Sequence, residues 1–327
     1  MENQAVLVTG GAGYIGSHVV KQLINEKYKV VVLDNLSTGF RAAAGKAEFI
    51  DGNTGDEVLV TDILKSYNIN SVLHFAAHTI VPESVSNPLK YYSNNTVSTF
   101  HLLKCCQNCG VKNFIFSSTA AVYGIPKDGT AAEDTLTNPI NPYGASKLMS
   151  EQMLRDLTKA SELNCVILRY FNVAGSDPEG EIGQSTAKAT LLIKVAVEVA
   201  LGKRPHLSVF GTDYPTPDGT GVRDYIHVSD LADAHIKALE YLNAGGESTL
   251  LNCGYGRGYS VREVIEAVER AHGSPIEVKF EPRRAGDPPS LVAQTDRIRN
   301  TLPWTPKYDD LDLIVKTALN WEKNKLY

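Results

Sequence analysis

Short apolar runs rich in Val, Ile and Leu alternate with amphipathic stretches along the first half of this 327-residue chain. Strands that are apolar nearly throughout are typical of a parallel sheet covered by helices on both faces. The alternation therefore predicts an α/β fold with a doubly wound, Rossmann-type parallel sheet, in which ligands bind at the carboxyl ends of the strands. The predicted strands are Ala5–Val8, Lys29–Leu33, Ala47–Ile50, Ser71–Phe75, Asn113–Ser117 and Cys165–Arg169, and the predicted helices are Ile15–Asn25, Asp56–Tyr67, Ser93–Cys109 and Pro142–Ala160.

A glycine-rich turn follows the first predicted strand and opens the first predicted helix. Gly10, Gly13 and Gly16 let the backbone approach a pyrophosphate, and the helix N-terminus offers free N–H groups and a positive dipole end. Asp34, at the end of the second predicted strand, can accept hydrogen bonds from an adenosine ribose. Because a carboxylate would repel a 2′-phosphate, these residues predict NAD as the cofactor in preference to NADP, even with Arg41 nearby.

Tyr143 and Lys147 lie four residues apart in the last predicted helix of this half, a spacing that puts both side chains on one helical face. A free tyrosine has a pKa of about 10 and is a poor base at neutral pH. A nearby ammonium favours the phenolate, so we expect Lys147 to lower the pKa of Tyr143. The pair could then move a proton to or from a hydroxyl, while NAD accepts the hydride that must leave the same carbon.

The alternation of strands and helices loosens after Asn172. Polar stretches rich in Gly or Pro predict loops at 177–185 and 213–221, and helices are predicted at 187–201, 229–242 and 261–271. We expect residues 1–172 to form the NAD-binding domain. Residues 173–327 are expected to form mainly a smaller substrate-binding lobe, with some segments returning to the first domain.

The composition argues against several kinds of partner. A formal net charge of −5 disfavours nucleic acid, and no apolar run approaches the roughly 20 residues of a membrane span. The first residues lack the basic segment of a secretory signal, so we expect a cytoplasmic protein.

Among the five cysteines, Cys106 and Cys109 form a Cys-x-x-Cys pair, but no second pair or His-x-x-x-His accompanies it. We predict reduced thiols and no metal site.

Five further segments narrow the assignment. They are 72–77 (VLHFAA), 113–124 (NFIFSSTAAVYG), 168–172 (LRYFN), 221–228 (GVRDYIHV) and 282–287 (PRRAGD). Together with the glycine turn, Asp34 and the pair of Tyr143 and Lys147, they make the chain similar to the extended short-chain dehydrogenase/reductase family, and within it to the UDP-glucose 4-epimerases. The resemblance covers nearly the whole chain.

The resemblance implies a role for each matching residue. Tyr143 would be the catalytic base, Lys147 its electrostatic partner and a ligand of the nicotinamide ribose, and Thr119 a hydrogen-bond partner of the sugar O4. The positions that match cofactor-binding residues are Gly10, Gly13, Tyr14, Ile15, Gly16, Asp34, Asn35, Leu36, Ser37, Thr38, Gly39, Asn53, Thr54, Phe75, Ala76, Ala77, Asn94, Tyr143, Lys147 and Phe171. The positions that match substrate-binding residues are Thr119, Tyr143, Asn172, Arg223, Arg284 and Asp287. Two arginines among them suit a diphosphate.

The implied reaction is the reversible inversion of C4 in UDP-galactose and UDP-glucose. It would proceed through a transient 4-keto-hexose, with NAD reduced and reoxidised in place. The resemblance also implies a homodimer, formed through helices such as Ser93–Cys109 and Pro142–Ala160.

Three alternatives compete with this reaction. The related 4,6-dehydratases carry an acid–base pair after the threonine, whereas Thr119 is followed by Ala120 and Ala121, which argues strongly against dehydration. A 4-epimerase of UDP-N-acetylhexosamines or UDP-pentoses would use the same machinery and stays open. Leu291 stands where some relatives have a bulky tyrosine, and a leucine would leave room for an N-acetyl group. A non-catalytic NAD-sensing protein is disfavoured, because such proteins commonly lose the tyrosine–lysine pair.

Other positions depart from the family pattern. Asn53 replaces an acid that accepts a hydrogen bond from the adenine amino group, and its amide oxygen can still accept that bond without charge. Thr79 stands where some members place a lysine near the cofactor phosphates, so we assign it no such role. Residues 190–192 (TLL) lack the paired asparagines that some members use at the substrate, so no substrate contact is assigned there.

Overall fold

The computed structural model describes residues 5–186, 189–284 and 286–327. Its strands are β1 (Ala5–Thr9), β2 (Lys29–Asp34), β3 (Glu48–Asp51), β4 (Ile69–His74), β5 (Asn113–Thr119), β6 (Thr130–Ala131), β7 (Asn164–Tyr170), β8 (Asn172–Ala174), β9 (Leu207–Phe210), β10 (Val222–His227), β11 (Thr249–Cys253), β12 (Gly258–Ser260), β13 (Val278–Glu281) and β14 (Ser290–Ala293). Its α-helices are α1 (Tyr14–Asn25), α2 (Glu57–Ser66), α3 (Val81–Ser86), α4 (Pro88–Tyr91), α5 (Ser98–Cys109), α6 (Pro142–Ala160), α7 (Leu192–Ala200), α8 (Val228–Asn243), α9 (Val261–His272), α10 (Asp296–Thr301) and α11 (Leu311–Asn324).

The largest sheet has seven strands in the order β11-β7-β5-β4-β1-β2-β3, and every neighbouring pair is parallel. The chain builds outward from β1 in one direction and then crosses to β4 on its other side. Ligands of such sheets bind outside the carboxyl ends of the strands at this switch point. The arrangement confirms the predicted doubly wound fold.

Alternate residues of β1 enter two different hydrophobic cores. Val6 and Val8 pack in a cluster that includes Leu23 of α1. Leu7 packs in a second cluster, which includes Leu102 of α5. Because successive side chains of a strand point to opposite faces, both faces of the sheet are covered, which explains why its strands are apolar nearly throughout.

The second half of the chain extends the main sheet and builds two smaller ones. β11 pairs in parallel with β7, and α8 packs against α1 beside the sheet. In a five-stranded sheet, β10 pairs with β14 in a register that sets Arg223 opposite Leu291. β9 and β13 form a separate parallel pair.

The predicted strands of the first half are confirmed, each within two residues of its predicted bounds. β11 is not among the predicted strands, because a run as short as Thr-Leu-Leu-Asn-Cys shows no clear periodicity. The predicted helix 93–109 is confirmed for most of its length, but it begins as a π-helical segment, Tyr92–Val97.

The predicted helix 187–201 is wrong at its start. Residues 187 and 188 lie outside the described residues, and α7 begins only at Leu192. Leu191 has an extended backbone, at φ −71° and ψ 132°, and its side chain makes no capping hydrogen bond. Without a capping residue in the sequence, tertiary packing rather than local propensity sets where this helix begins.

No helix in the part of the chain that the structure describes is long and apolar enough to cross a membrane.

Candidate active site

The glycine turn packs closely against the end of β4. Gly10 has a positive φ of 71°, and a Cβ atom there would lie 2.6 Å from the backbone nitrogen of Ala76. A Cβ atom on Gly16 would lie 2.2 Å from the carbonyl oxygen of Gly10. Only glycine fits these two positions. The turn therefore holds the first helix against the strand ends at the switch point of the sheet.

The first turn of α1 is suited to an anion. Gly13 is its N-cap residue, no side chain caps the turn, and the turn contains no acidic residue. The first N–H groups of a helix have no partner within the helix, and they lie at its positive dipole end. The donor set therefore fits the pyrophosphate of a dinucleotide. The Tyr14 hydroxyl donates to the Gly175 carbonyl over 2.6 Å, which ties this turn to the second half of the chain.

Asp34 joins the glycine turn to the loop that follows β2. Its carboxylate accepts from the amides of Ala12 and Leu36 over 2.9 and 2.8 Å, and burial raises its pKa. Each carboxylate oxygen keeps a second lone pair for a ribose hydroxyl. Leu36 adopts a left-handed backbone with φ 55°, a strained state that is concentrated at functional sites. A Cβ atom on Gly39 would meet the Ala12 carbonyl at 2.6 Å, so the loop closes on the turn.

Other predicted cofactor residues follow β3 and β4, and Arg41 lies in the loop between β2 and β3. Asn53 is exposed, and its side-chain oxygen accepts from the Gly55 amide over 2.8 Å. The Phe75 amide donates to the Thr9 carbonyl over 2.9 Å, which places the start of the segment Phe75, Ala76 and Ala77 beside β1. The Arg41 guanidinium lies over the Phe49 ring, 4.5 Å from its centroid.

The predicted catalytic residues come together at the carboxyl end of β5. Asn141 caps α6 by accepting from the Gly144 amide over 2.9 Å, so Tyr143 lies in the first turn and Lys147 one turn later. Thr119 is the last residue of β5, and its hydroxyl lies close enough to the Tyr143 side chain to oppose the rise in the pKa of the phenol. The structure thus brings together the three residues of the predicted proton-transfer group.

The pKa values correct one expectation from the sequence. Burial raises the pKa of Tyr143, and the Thr119 hydroxyl offsets part of that rise. Lys147 is turned toward β5, where its ammonium donates to the Ser117 carbonyl over 2.8 Å. Burial lowers the pKa of Lys147 to about 7, and the negative charge of Glu151 opposes this shift. The pKa of Tyr143 is therefore raised and not lowered as expected, because burial outweighs the opposing effects while the ammonium of Lys147 is bound to Ser117.

A buried ion pair that the sequence analysis missed anchors α6. Arg169 of β7 donates to both carboxylate oxygens of Glu151, over 2.9 and 2.6 Å, and both side chains are almost fully buried. Ser118 of β5 donates to the same carboxylate over 2.5 Å. One signal was present in the sequence, namely an arginine inside the otherwise apolar stretch 166–170. Such a charge needs a buried partner.

Asn95 is a second residue that sequence reasoning missed. It lies in the π-helical segment beside the predicted cofactor residue Asn94. Its amide accepts from the backbone N–H of His78 over 2.8 Å and donates to the His78 carbonyl over 3.0 Å. It also donates to Ser146, the neighbour of Lys147, over 3.1 Å. Asn95 therefore connects the loop after β4 with the catalytic helix.

The predicted diphosphate ligands also approach each other. Arg284 donates to the Asp287 carboxylate over 2.9 Å, and its guanidinium lies 4.6 Å from the centroid of Phe210. The pKa of Arg223 is lowered by burial, and the charges of Asp287 and Arg284 act on it. Arg223 therefore lies within electrostatic range of the pair of Arg284 and Asp287. Phe210, which was not predicted, contributes a half-exposed ring to the same place.

An aliphatic wall lies next to this charged group. Leu291 is 8% exposed and packs in a small cluster with Ala120, Val122, Tyr123 and Ala131. The predicted cofactor residue Phe171 packs against the same cluster. The wall thus connects β14, which pairs with the strand of Arg223, to the chain segment that follows Thr119.

Asn172, another predicted substrate residue, begins β8 and pairs with Tyr225. It lines a cavity together with Leu191, at the position where the paired asparagines of some relatives are missing.

The comparisons with known proteins agree with this geometry. The family model for the NAD dependent epimerase/dehydratase family matches residues 6–254. A UDP-glucose 4-epimerase of Azospirillum brasilense is 55% identical over 320 residues, which are 98% of this chain and 92% of the relative.

Two solved structures extend the similarity to three dimensions. The UDP-glucose 4-epimerase of Brucella ovis, solved in complex with NAD, has a TM-score of 0.94 at 45% identity and is covered over 97% of each chain. The UDP-Glc/GlcNAc 4-epimerase of Campylobacter jejuni has a TM-score of 0.86 at 49% identity, with 98% of this chain and 99% of that chain covered.

Proposed function

Because the chain belongs to the NAD dependent epimerase/dehydratase family, we propose that it is an NAD-dependent enzyme that reversibly inverts C4 of UDP-galactose and UDP-glucose. The main support for the proposal is that Tyr143, Thr119 and Lys147 cluster at the carboxyl ends of the parallel strands, where the glycine turn also lies. A proton-transfer group and a dinucleotide-binding turn at the same end of the sheet suit the removal of a proton from the O4 hydroxyl and a hydride from C4.

The residues present fit NAD. The uncapped first turn of α1 would hold the pyrophosphate, Asp34 the adenosine ribose, and Lys147 the nicotinamide ribose. NAD, when bound, supplies the acceptor and later the donor of the C4 hydrogen. The loops Asn35–Gly39 and Phe75–Ala77 would enclose it between the ends of β1, β2 and β4.

Tyr143 and Thr119 would handle the proton of O4. Thr119 aligns the sugar hydroxyl, and Tyr143, as phenolate, takes its proton and later returns it to the 4-keto-hexose. Burial disfavours the phenolate, so a positive charge near the ring has to stabilise it. Lys147, one turn along α6, is the cation placed to do so once it is protonated.

The charged group of Arg223, Arg284 and Asp287 would hold the UDP portion. Arg223 is desolvated, and the only hydrogen bond seen for its side chain within the described residues goes to the Val222 carbonyl, over 2.8 Å. A diphosphate would offset the cost of burying that cation. With the nucleotide held there and by Asn172, the keto-hexose can turn and present its other face.

We also propose that the site accepts N-acetylated UDP-hexoses. The wall around Leu291 includes Ala120, Val122 and Ala131, and a leucine at this position has less bulk than a tyrosine and no hydroxyl. The Campylobacter jejuni relative, named as an enzyme for both Glc and GlcNAc forms, supports this extension.

A homodimer is the proposed assembly. Val97 and Phe100 lie three residues apart, on one helical face, and are 48% and 50% exposed. Met149 on the adjacent helix α6 is 48% exposed. Large apolar side chains that stay exposed on two packed helices favour an interface with a second copy.

The division at residue 172 and the cytoplasmic location remain predictions. All five cysteines are free thiols, which supports a reducing compartment.

The first prediction concerns the base. Replacing Tyr143 with Phe removes only the hydroxyl, so we expect the conversion rate of UDP-galactose to fall about 10²- to 10⁴-fold while the protein stays folded. A coupled assay for UDP-glucose, with circular dichroism as the folding check, measures this. Tyr67→Phe, which removes a hydroxyl bonded to Glu48 far from the site, is the matched control and should keep its rate. Near-normal conversion by Tyr143→Phe would show that the assigned role is wrong.

The second prediction concerns the sugar wall. Leu291→Tyr adds bulk next to Phe171, so turnover of UDP-N-acetylgalactosamine should fall about tenfold or more relative to UDP-galactose. Leu291→Met, of similar volume, should keep the ratio. The two rates are measured side by side for each variant. An unchanged ratio in the tyrosine variant would exclude Leu291 as part of the sugar pocket.

The third prediction concerns assembly. Sedimentation equilibrium should give twice the mass of one chain for the wild type, and Phe100→Glu should shift the population to single chains because it buries a charge in the interface. Val58→Glu, at a residue that is 74% exposed on α2, controls for the added charge and should stay dimeric. A wild-type protein of single-chain mass would refute the proposed dimer.

A further inference from the structure

Asp224 is a fully buried carboxylate next to Arg223 on β10. It has no place in the proton-transfer group, and it does not face the same side of the strand as Arg223, because successive side chains of a strand point to opposite faces. A buried carboxylate is costly unless its oxygens accept hydrogen bonds. The hydrogen-bond donors of Asp224 therefore indicate which segments of the chain this buried carboxylate holds together.

Three backbone amides from two other segments donate to Asp224. The Tyr255 amide donates over 3.0 Å, and the Gly256 amide over 2.9 Å, both from the turn between β11 and β12. The Ala293 amide, at the end of β14, donates over 3.2 Å. A Cβ atom on Gly254 would lie 2.8 Å from the same carboxylate, so the turn follows the side chain closely.

One of these segments, β14, is continuous with groups assigned to the substrate. β14 begins directly after the loop of Arg284 and Asp287, and it includes Leu291. Its register with β10 sets Leu291 opposite Arg223. β12 pairs with β10 on the other side, where Tyr259 is opposite Arg223. Asp224 thus holds the strand of one arginine against the segment that carries the other.

We propose that Asp224 is a positioning residue that sets the distance between Arg223 and the segment of Arg284 and Leu291, and thereby the affinity for the UDP portion. The inference rests on the proposed function, because it assumes that these arginines hold a nucleoside diphosphate. It predicts a defect in binding the nucleotide and none in the chemistry at C4, since Tyr143, Lys147 and Thr119 lie on β5 and α6 and not on the segments that Asp224 joins.

Asp224→Asn tests the proposal with little change in volume. The asparagine NH₂ group would face amide N–H groups in place of an acceptor oxygen, so the segments separate slightly. We expect the KM for UDP-galactose and the dissociation constant for free UDP to rise about tenfold, which corresponds to the loss of one charge-assisted hydrogen bond, while kcat stays within about twofold. Steady-state kinetics and calorimetric titration with UDP measure both quantities.

Asp230→Asn is the matched control. Asp230 is also buried, accepts from two backbone amides, those of Lys307 and Tyr308, and binds the hydroxyl of the same Tyr255. It holds the segment before α11 and not β14. A purely structural role for both aspartates predicts equal loss of stability and no effect on UDP, whereas positioning predicts weaker UDP binding for Asp224→Asn alone.

The outcomes separate the two proposals. A wild-type protein that neither converts UDP-galactose nor binds UDP contradicts the proposed function. An active wild type, together with an Asp224→Asn variant that keeps the wild-type KM and UDP affinity, overturns the positioning role alone. If the Asp224→Asn variant does not fold, amide hydrogen exchange of the wild-type protein with and without UDP tests the positioning role instead. UDP should slow exchange at Tyr255, Gly256 and Ala293, and no change at these amides refutes the role.

Discussion

The buried ion pair of Glu151 and Arg169 is the interaction on which the rest of the site depends. It joins the catalytic helix to β7, and Ser118 adds β5 to the same carboxylate. Lys147 lies one turn before Glu151, and Tyr143 two turns before it. Any movement of the pair would therefore shift both residues relative to Thr119. Removing Glu151 would leave the Arg169 guanidinium buried without a carboxylate, a loss that typically costs about 3–5 kcal/mol, whereas Glu151 has a second partner in Arg155.

Desolvated cations lie at the two proposed ligand sites. Burial lowers the pKa of Lys147 to about 7 and also lowers that of Arg223. Holding positive charge in such places is unfavourable for the protein alone, and an anion or a phenolate that approaches it is correspondingly favoured. The protein therefore contains a cation whose desolvation is unfavourable at the end of β5 and another on β10. In the proposed function, the first cation would assist the proton transfer at C4, and the second would bind the nucleotide that carries the sugar.

The sequence predicts most of the sheet and part of the site, for a physical reason. Gly10, Gly16 and Asp34 follow strands whose apolar runs are unmistakable, and their chemistry is local to a turn. The roles of three buried polar residues, Asn95, Asp224 and Glu151, cannot be predicted in this way. Their hydrogen-bond partners come from distant segments of the chain, and the sequence around a single polar residue does not show which groups it will bind. The first residue of α7 is not predicted for a related reason. Leu191 has no side chain that could cap the helix, so tertiary packing sets where the helix begins. The spacing of Tyr143 and Lys147 predicts the wrong direction for the pKa of Tyr143, because it shows neither burial nor the direction in which Lys147 turns.

The central claim is that one site removes and returns both hydrogens of the C4 carbinol, the one on oxygen through Tyr143 and the one on carbon without exchange with water. Conversion of UDP-galactose in D₂O, followed by NMR of the sugar C4 position in the product, tests it most directly. The account predicts UDP-glucose that carries no deuterium at C4, even after many turnovers. Deuterium at C4 would mean that this hydrogen leaves as a proton to solvent, and it would contradict the mechanism.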